Sequence, residues 1–217
     1  MKKELFPSRL NILKVFFEQP DKELYVMEVK KKTGMSYDRA YQYLKDLESE
    51  GILTSKLKGK SRFYKANLKD KMTLKLFETF EIKKREEFFQ KDADIKTLLN
   101  RFTEDVLKQI RDKVLIIILF GSVARGKYGK GSDIDILIVT PNLSNIEPIK
   151  KVIGKIANEY SSVYEKEIVP ITVTLKDFSE GLKTKGDFFQ ELWMDRIVLY
   201  GESRFFEEIA EGGVPVE

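Results

Sequence analysis

Residues 114–140 read VLIIILFGSVARGKYGKGSDIDILIVT, and this stretch decides the fold of the C-terminal part of the chain. An apolar run from Val114 to Phe120, mostly β-branched and stopped by Gly121, is typical of a buried strand. A second strand is predicted from Asp133 to Val139. Three more glycines and several basic residues between the strands indicate a flexible, positively charged loop. The pattern is therefore strand, turn, loop, strand.

The second strand begins with two carboxylates, Asp133 and Asp135. Side chains alternate along a strand, so we expect these two on one face, roughly 6.5–7 Å apart. Two negative charges at that spacing repel each other, and a hard cation such as Mg²⁺ would relieve the repulsion because it prefers oxygen ligands. The pair is a candidate metal site. The alternative is that both aspartates are only solvated residues at the start of a strand.

The turn after the first strand is a candidate phosphate-binding site. Gly121 has no Cβ, so a phosphate could approach its backbone closely. The backbone N–H groups that follow it and the hydroxyl of Ser122 could then hold that phosphate. Metal-binding carboxylates beside a phosphate site indicate phosphoryl or nucleotidyl transfer.

Gly121-Ser122, Gly126 and Ser132-Asp133-Ile134-Asp135, set between two apolar strands, resemble the motif of the DNA polymerase β-like nucleotidyltransferase superfamily. The resemblance is to its minimal nucleotidyltransferase branch and covers about residues 95–200. It implies an α/β (α+β) domain with a small mixed sheet flanked by helices. It also implies a nucleoside triphosphate substrate bound with Mg²⁺, and nucleotide contacts from Gly121, Ser122 and Ser132. Minimal members often act as antitoxins that modify or bind a HEPN toxin, so a protein acceptor of that kind is one option.

Catalytic members of the superfamily usually carry a third Asp or Glu on the strand after the aspartate pair. That strand here is EIVPITVT, residues 167–174, and the expected positions hold Pro170 or Thr172. Glu167 is the nearest substitute as a third catalytic carboxylate, and the alternative is that it is merely solvated. Because Pro170 cannot donate a hydrogen bond to a neighbouring strand, it predicts an edge strand or a bulge.

The composition limits the available chemistry. The chain has 217 residues, which suits one or two domains, and it contains no cysteine and no histidine. Catalysis must therefore rest on carboxylates, lysines, hydroxyls and metals. The longest apolar run has seven residues, far too few to cross a bilayer, and the N-terminus lacks the features of a signal peptide. We expect a cytoplasmic protein that has no contact with membranes.

Positive charge is concentrated at the N-terminal end. Residues 1–70 hold 16 Lys and Arg against 10 Asp and Glu, a balance of +6, whereas residues 71–217 hold 23 against 25, a balance of −2. Attraction to phosphate supplies most non-specific affinity for nucleic acids. The N-terminal end is therefore the expected nucleic-acid-binding end.

Apolar spacing over residues 5–50 predicts three short helices, the third of them capped by Ser36. A β-hairpin is predicted around Lys58-Gly59-Lys60. Three helices followed by a basic hairpin resemble a winged helix-turn-helix DNA-binding domain, here residues 1–67. The alternative is a small helical interaction module with a solvated hairpin.

Two groups of side chains are the candidates for contact with DNA. The third helix would enter the major groove by its N-terminal part, and the hairpin would contact phosphates, which position a protein without reading sequence. The candidates on the third helix are Ser36, Tyr37, Arg39, Tyr41, Gln42, Tyr43 and Lys45. The candidates on the hairpin are Lys56, Lys58, Lys60, Arg62 and Lys65, with no acidic residue among them.

The rest of the chain divides into a predicted helical linker over residues 68–92, a nucleotidyltransferase domain over residues 93–211 and a disordered tail over residues 212–217. A helix is predicted over residues 93–113. The apolar face of the linker helix needs a partner, either from its own domains or from a second copy of the chain, and we expect a homodimer.

Two functions remain open. The chain could be a nucleotidyltransferase that moves a nucleoside monophosphate to a hydroxyl of a partner and also binds DNA. Alternatively, it could be a DNA-binding transcription regulator whose nucleotidyltransferase domain is a nucleotide sensor or a dimerisation platform with little catalysis. The intact aspartate pair favours the first function, and the missing third acid favours the second.

Overall fold

A computed structural model describes residues 7–129 and 131–213. The chain forms two compact units, and the division falls between Phe80 and Glu81. Residues 5 and 6 of the predicted first helix lie outside the described residues, as do residues 214–217 of the predicted tail. No described helix is both long enough and apolar enough to cross a membrane.

The first unit contains three helices and a three-stranded antiparallel sheet. Its elements are α1 (Pro7–Glu18), β1 (Leu24–Tyr25), α2 (Val26–Thr33), α3 (Tyr37–Ser49), β2 (Leu53–Lys58) and β3 (Ser61–Ala66). The strand order is β1-β3-β2. As predicted, Ser36 caps α3, and its Oγ accepts a hydrogen bond from the backbone N–H of Arg39 at 3.4 Å. The predicted hairpin is β2–β3, and Gly59 turns it with φ +60°.

The second unit is built on a four-stranded mixed sheet flanked by helices. In chain order its elements are α4 (Lys71–Phe89, which begins in the first unit), α5 (Ala93–Ile110), β4 (Ile116–Phe120), α6 (Gly121–Ala124), β5 (Ile134–Thr140), α7 (Glu147–Tyr164), β6 (Ile168–Thr174), α8 (Leu175–Thr184), α9 (Asp187–Asp195), β7 (Ile197–Tyr200) and α10 (Glu202–Gly212). The strand order is β6-β5-β4-β7. Strands β5 and β6 run parallel and the other pairs are antiparallel, so the predicted small mixed sheet is confirmed.

Several boundaries differ from the sequence-based expectation. The helix predicted over residues 93–113 ends at Ile110 and continues as a short 3-10 turn. Helix α10 extends to Gly212, the first residue of the predicted tail. Strand β6 lies at the edge of the sheet, and its pairing with β5 runs without a shift from Ile168 to Thr174. Pro170 therefore marks an edge strand and not a bulge.

The two faces of the sheet have different roles. Ile134, Ile136 and Ile138 of β5 are buried in an apolar core with α5 and α7. Since side chains alternate along a strand, Asp135 and the buried residues Leu137 and Val139 lie on the opposite face. Apolar side chains are thus buried on both faces, and the carboxylate of Asp135 lies on the face opposite α5 and α7.

Helix α4 supplies part of each core. Phe77 packs against Phe17 in the first unit, with ring centroids 5.5 Å apart, and Phe88 joins the core of the second unit. Polar side chains in the C-terminal part of α4 form hydrogen bonds with the backbone of the edge strand β7. Arg85 donates to the carbonyls of Val198 and Leu199, both at 2.9 Å. This edge of the sheet is therefore covered by the chain itself.

Candidate active site

The turn between β4 and α6 closes against the side chain of Asp135. Gly121 has φ +74°, a left-handed backbone conformation that favours glycine. A Cβ at this position would collide with Oδ2 of Asp135 and would lie 3.2 Å from its Cγ. The strand pairing also sets Phe120 directly opposite Asp135. Only glycine lets the carboxylate approach this turn so closely.

The two aspartates flank the first residue of β5. The strand begins at Ile134, one residue later than predicted, so Asp133 lies just before it and is exposed, whereas Asp135 is half-buried. Burial raises the pKa of Asp135 above its usual value, and the negative charge of Asp133 raises it further. The two carboxylates are therefore close enough to repel each other.

The glycine-rich loop is held at two points. The Oγ of Ser132 accepts a hydrogen bond from the N–H of Gly129 at 3.0 Å, which closes a turn inside the loop. The hydroxyl of Tyr128 donates to Asp92 at 2.6 Å, and Asp92 also caps α5. Burial, helped by this hydrogen bond, raises the pKa of Tyr128 to about 12. The loop between the glycine turn and the aspartate pair is thus fastened to the start of α5.

No acidic residue of β6 faces the aspartate pair. Asp135 pairs with Val169, so Val169, Ile171 and Val173 share its face of the parallel sheet. The positions expected for the third acid, Pro170 and Thr172, therefore lie on the other face, and that expectation was wrong by one residue. It failed because the sequence does not specify how β6 aligns with β5.

Glu167 lies just before β6, next to the start of β5. Its carbonyl oxygen accepts a hydrogen bond from the N–H of Ile134 at 2.8 Å, and its side chain is exposed. If the alternation of β6 continues one residue upstream, its side chain points to the same face as Asp135. Within residues 7–129 and 131–213, no group of three or more acidic side chains lies close enough together to hold a metal ion.

Arg125 is a basic residue of the site that the sequence motif did not identify. It ends α6, and its guanidinium forms an ion pair with Asp195 at the end of α9. The backbone N–H of Arg125 donates to the carbonyl of Gly121 at 3.2 Å, and the positive charge of Arg125 opposes the rise in the pKa of Asp135. In the sequence, Arg125 could have been recognised as a site residue because it follows Gly121 by four positions. No pattern in the residues around Asp195 marks it as part of the site.

The candidates on α3 form an exposed polar and aromatic surface. The rings of Tyr37 and Tyr41 are parallel with centroids 6.2 Å apart, and the ammonium of Lys45 lies 5.7 Å from the centre of the Tyr41 ring. Gln42 donates to Asp46 at 2.9 Å. The side chain of Ser36 already accepts the hydrogen bond that caps α3, whereas the side chain of Arg39 is exposed.

The basic hairpin, defined as Lys56, Lys58, Lys60, Arg62 and Lys65, is largely paired with acids from outside β2 and β3. Glu23 lies 2.6 Å from Lys58 and 3.4 Å from Lys56. Glu48 pairs with Arg62 at 3.0 Å, and Asp21 pairs with Lys65 at 2.8 Å. In the described part of the chain, only Lys60 of this group has no ion pair. The sequence suggested five unopposed positive charges, but the fold brings three carboxylates to them.

Comparison with known proteins bears on the second unit. The sequence model of the family described as "Nucleotidyltransferase domain" matches residues 95–200. A protein of Methanocaldococcus jannaschii, named provisionally as a protein adenylyltransferase, is 38% identical over 78 residues, which are 36% of this chain and 78% of that protein. A second protein of the same organism, named in the same way, is 28% identical over 123 residues, which are 56% of this chain and 82% of that protein.

Among solved structures, a toxin–antitoxin crystal structure with AMP-PNP is similar over 52% of this chain and 85% of that chain, with 18% identity and a TM-score of 0.36. The match to the family and the 38% identity to a relative that this chain covers over most of its length agree with the site around Gly121 and Asp135. The chain belongs to the nucleotidyltransferase domain family.

Proposed function

We propose that the second unit transfers a nucleoside monophosphate from a nucleoside triphosphate to a hydroxyl group of a protein. The observation that carries this proposal is the closure of the Gly121 turn on the carboxylate of Asp135. Backbone N–H groups that can bind phosphate and carboxylates that can bind a cation then lie side by side. The hydroxyl of Ser122 adds a further donor for a phosphate oxygen.

The residues present fit a magnesium ion. Asp133 and Asp135 offer hard oxygen ligands. Burial, and then the negative charge of Asp133, raise the pKa of Asp135, so a divalent cation would relieve an electrostatic cost. Two protein carboxylates suit Mg²⁺, which commonly takes its remaining ligands from water and substrate phosphates. A magnesium ion held there would neutralise the charge that develops on the phosphoryl oxygens during transfer.

The transfer itself needs a nucleophile and a proton acceptor. The acceptor's hydroxyl oxygen forms a bond to the α-phosphorus, the bond to pyrophosphate breaks, and the hydroxyl proton passes to a base. The chain has no histidine. We assign the role of base to Glu167, since its backbone lies beside Ile134 at the start of β5.

The names of the relatives support a choice of substrates. Both Methanocaldococcus jannaschii proteins carry names that assign adenylyl transfer to protein. This supports ATP as the nucleotide and a protein hydroxyl as the acceptor. The resemblance of the sequence motif to minimal nucleotidyltransferases suggests a HEPN-like toxin as the acceptor to test first.

The first unit is proposed to be a winged helix-turn-helix domain that binds DNA. The turn between α2 and α3, the exposed N-terminal part of α3 and the adjoining basic hairpin support this assignment. The ion pairs of the hairpin leave it fewer free charges than the sequence suggested. Binding by this unit should therefore depend on α3 as well as on phosphate attraction.

The second candidate function, a regulator that senses nucleotides without turnover, is favoured by one observation. The residues of β6 that share the face of Asp135 are apolar. A site with two carboxylates can bind a metal and a nucleotide even where it transfers slowly. The transferase and the sensor differ only in whether a nucleotidylated acceptor and pyrophosphate are formed.

The experiment incubates the full chain with ATP labelled at the α-phosphate, with Mg²⁺ or EDTA, and with candidate acceptor proteins. Wild type and Asp133→Asn/Asp135→Asn are compared, with Glu159→Gln on the exposed surface of α7 as a control that removes a charge away from the site in the sequence. The proposal predicts label on protein and release of pyrophosphate, both lost with EDTA and in the double variant. ATP binding without transfer to any acceptor would favour the sensor. Wild type that binds ATP as tightly in EDTA as in Mg²⁺, or a double variant that binds as tightly as wild type in Mg²⁺, would refute the metal site.

A further inference from the structure

An ion pair joins the glycine turn to a helix far away in the sequence. Arg125 is the capping residue directly after α6, and Asp195 is the last residue of α9. The Nη1 atom of Arg125 donates to Oδ2 of Asp195. The side chain of Asp195 is only 11% exposed, whereas that of Arg125 is 43% exposed. A nearly buried carboxylate thus fixes one end of a guanidinium that otherwise faces solvent.

The position of Asp195 is unfavourable for its own helix. It is the last residue of α9, where the helix dipole places partial negative charge, and no basic residue occupies the last turn. A carboxylate there weakens the helix and gains little from it. The stability of α9 therefore gives no reason for an acid at this position, and the interaction that compensates its charge is the one with Arg125.

Arg125 retains unused hydrogen-bond donors. A guanidinium has five N–H donors, and the bond to Asp195 is the one hydrogen bond that this group makes within the described part of the chain. Its backbone N–H donates to the carbonyl of Gly121 at 3.2 Å, which places Arg125 one turn after the glycine whose turn closes on Asp135. A planar group with free paired donors suits phosphate oxygens.

We propose that Asp195 is a positioning residue that holds the guanidinium of Arg125 beside the aspartate pair, where Arg125 binds the terminal phosphates of a nucleoside triphosphate. This inference rests on the proposed function, because it requires that the site bind nucleotides. An exposed arginine has many rotamers, and one fixed partner reduces the entropy lost when phosphate binds. Partners that orient a ligand in this way commonly change affinity by about 10–100-fold when they are removed.

The test measures dissociation constants for ATP and AMP by calorimetry in Mg²⁺ with the full chain. The proteins are wild type, Asp195→Asn, Arg125→Gln and the double variant, with Asp195→Glu as the conservative change. Glu207→Gln, which breaks the exposed pair with Arg204, is the matched control. We expect Asp195→Asn and Arg125→Gln each to weaken ATP binding by about 10–100-fold and to leave AMP binding within about twofold. The double variant should be no weaker than Arg125→Gln, and Asp195→Glu should recover part of the loss.

Thermal unfolding without nucleotide separates positioning from support of the fold. A tether that merely joins α9 to α6 would lower the melting temperature and weaken ATP and AMP binding equally, and that result would overturn the proposal. Unchanged ATP affinity in Asp195→Asn, with wild type binding ATP well, would refute the role of Asp195 and leave the proposed function intact. A wild-type protein that binds no ATP would refute both.

Discussion

The carboxylate of Asp135 lies in the space that a Cβ on Gly121 would fill. Gly121 directly follows strand β4, and Asp135 lies on the neighbouring strand β5. The antiparallel register of β4 and β5 brings them together by pairing Phe120 with Asp135. A side chain added at Gly121 would therefore displace the carboxylate of Asp135.

Two glycine substitutions separate backbone strain from this steric clash. Gly121 and Gly126 both have positive φ, +74° and +68°, but no described atom lies within 4 Å of the place of a Cβ on Gly126. Gly126→Ala should cost only the strain of a left-handed residue, roughly 1–2 kcal/mol of unfolding free energy. Gly121→Ala should cost more, since Asp135 must also move, and it should abolish nucleotide binding. Equal losses in denaturant unfolding would contradict the clash.

The buried pair of Glu81 and Arg196 should dominate the stability of the edge of the sheet near β7. Glu81 is fully buried, and the Arg196 guanidinium lies 3.6 Å from the centre of the Trp193 ring. Glu81→Ala leaves a buried positive charge without its carboxylate, and we expect a loss of about 3–5 kcal/mol in urea unfolding. Glu87→Ala, which removes the exposed pair with Lys83, should cost at most about 1 kcal/mol. Similar losses in the two variants would show that burial does not strengthen this pair.

The hydroxyl of Tyr128 should make stability depend on alkaline pH. Its pKa rises from 10.0 to about 12 in the folded chain because of burial and its bond to Asp92. Between those values the folded state binds more protons than the unfolded state, so this contribution to stability is complete below pH 10 and is lost as the pH rises towards 12. Tyr128→Phe should flatten the fall of the unfolding midpoint over that window. Asp92→Ala should lower the pKa of Tyr128 in an absorbance titration, and an unchanged titration would contradict the assigned cause.

Local features of the site could be predicted from the sequence because each leaves a signal in a few neighbouring residues. The apolar run before Gly121 indicated strand β4, and the alternation after Asp133 indicated β5 to within one residue. Pro170 indicated an edge strand or a bulge, of which the first is found, and Ser36 indicated the start of α3. These signals depend on backbone conformation and short periodicity, which the chain specifies locally.

Relationships across the fold could not be predicted in the same way. The pairing of Asp135 with Val169 depends on the alignment of β5 and β6, and a shift of one residue exchanges the faces. The ion pair of Arg125 with Asp195, and that of Glu23 with Lys58, join segments that only tertiary packing brings together. Opposite charges are common on surfaces, so no local pattern could select these pairs among many.

The proposed role of Glu167 predicts a loss of rate without a loss of binding. Glu167→Gln should lower the rate of nucleotidyl transfer by about 10²-fold or more, within the usual range for removal of a general base. Affinity for ATP should change little, because Asp133 and Asp135 remain. Glu165→Gln is the matched control, since it changes an exposed acid two residues away. A full transfer rate in Glu167→Gln would assign the base to the acceptor protein.

The ion pairs of the basic hairpin predict unequal contributions to DNA binding. Removing one side chain that binds a phosphate should reduce the slope of log affinity against log salt by about 0.9, and removing Lys58, Lys60 and Arg62 together should reduce it by at most roughly 2.7. A hydrogen bond from Lys58 lowers the pKa of Glu23, so this glutamate is ionised at neutral pH and competes with phosphate for Lys58. Lys60 has no such competitor among the described residues. Lys60→Ala should therefore reduce the slope more than Lys58→Ala.

Removal of an acid that pairs with the basic hairpin should increase its affinity for DNA. Glu23→Gln removes the negative charge that Lys56 and Lys58 share, so it should strengthen DNA binding at low salt and steepen the dependence on salt. Glu180→Gln, which breaks an exposed pair with Lys176 in the second unit, removes the same charge far from the hairpin in the sequence and should have little effect. Fluorescence anisotropy with a labelled duplex over a series of salt concentrations measures both quantities. An equal gain in the two variants would mean that net charge alone attracts DNA, and no gain in Glu23→Gln would place the hairpin outside the DNA interface.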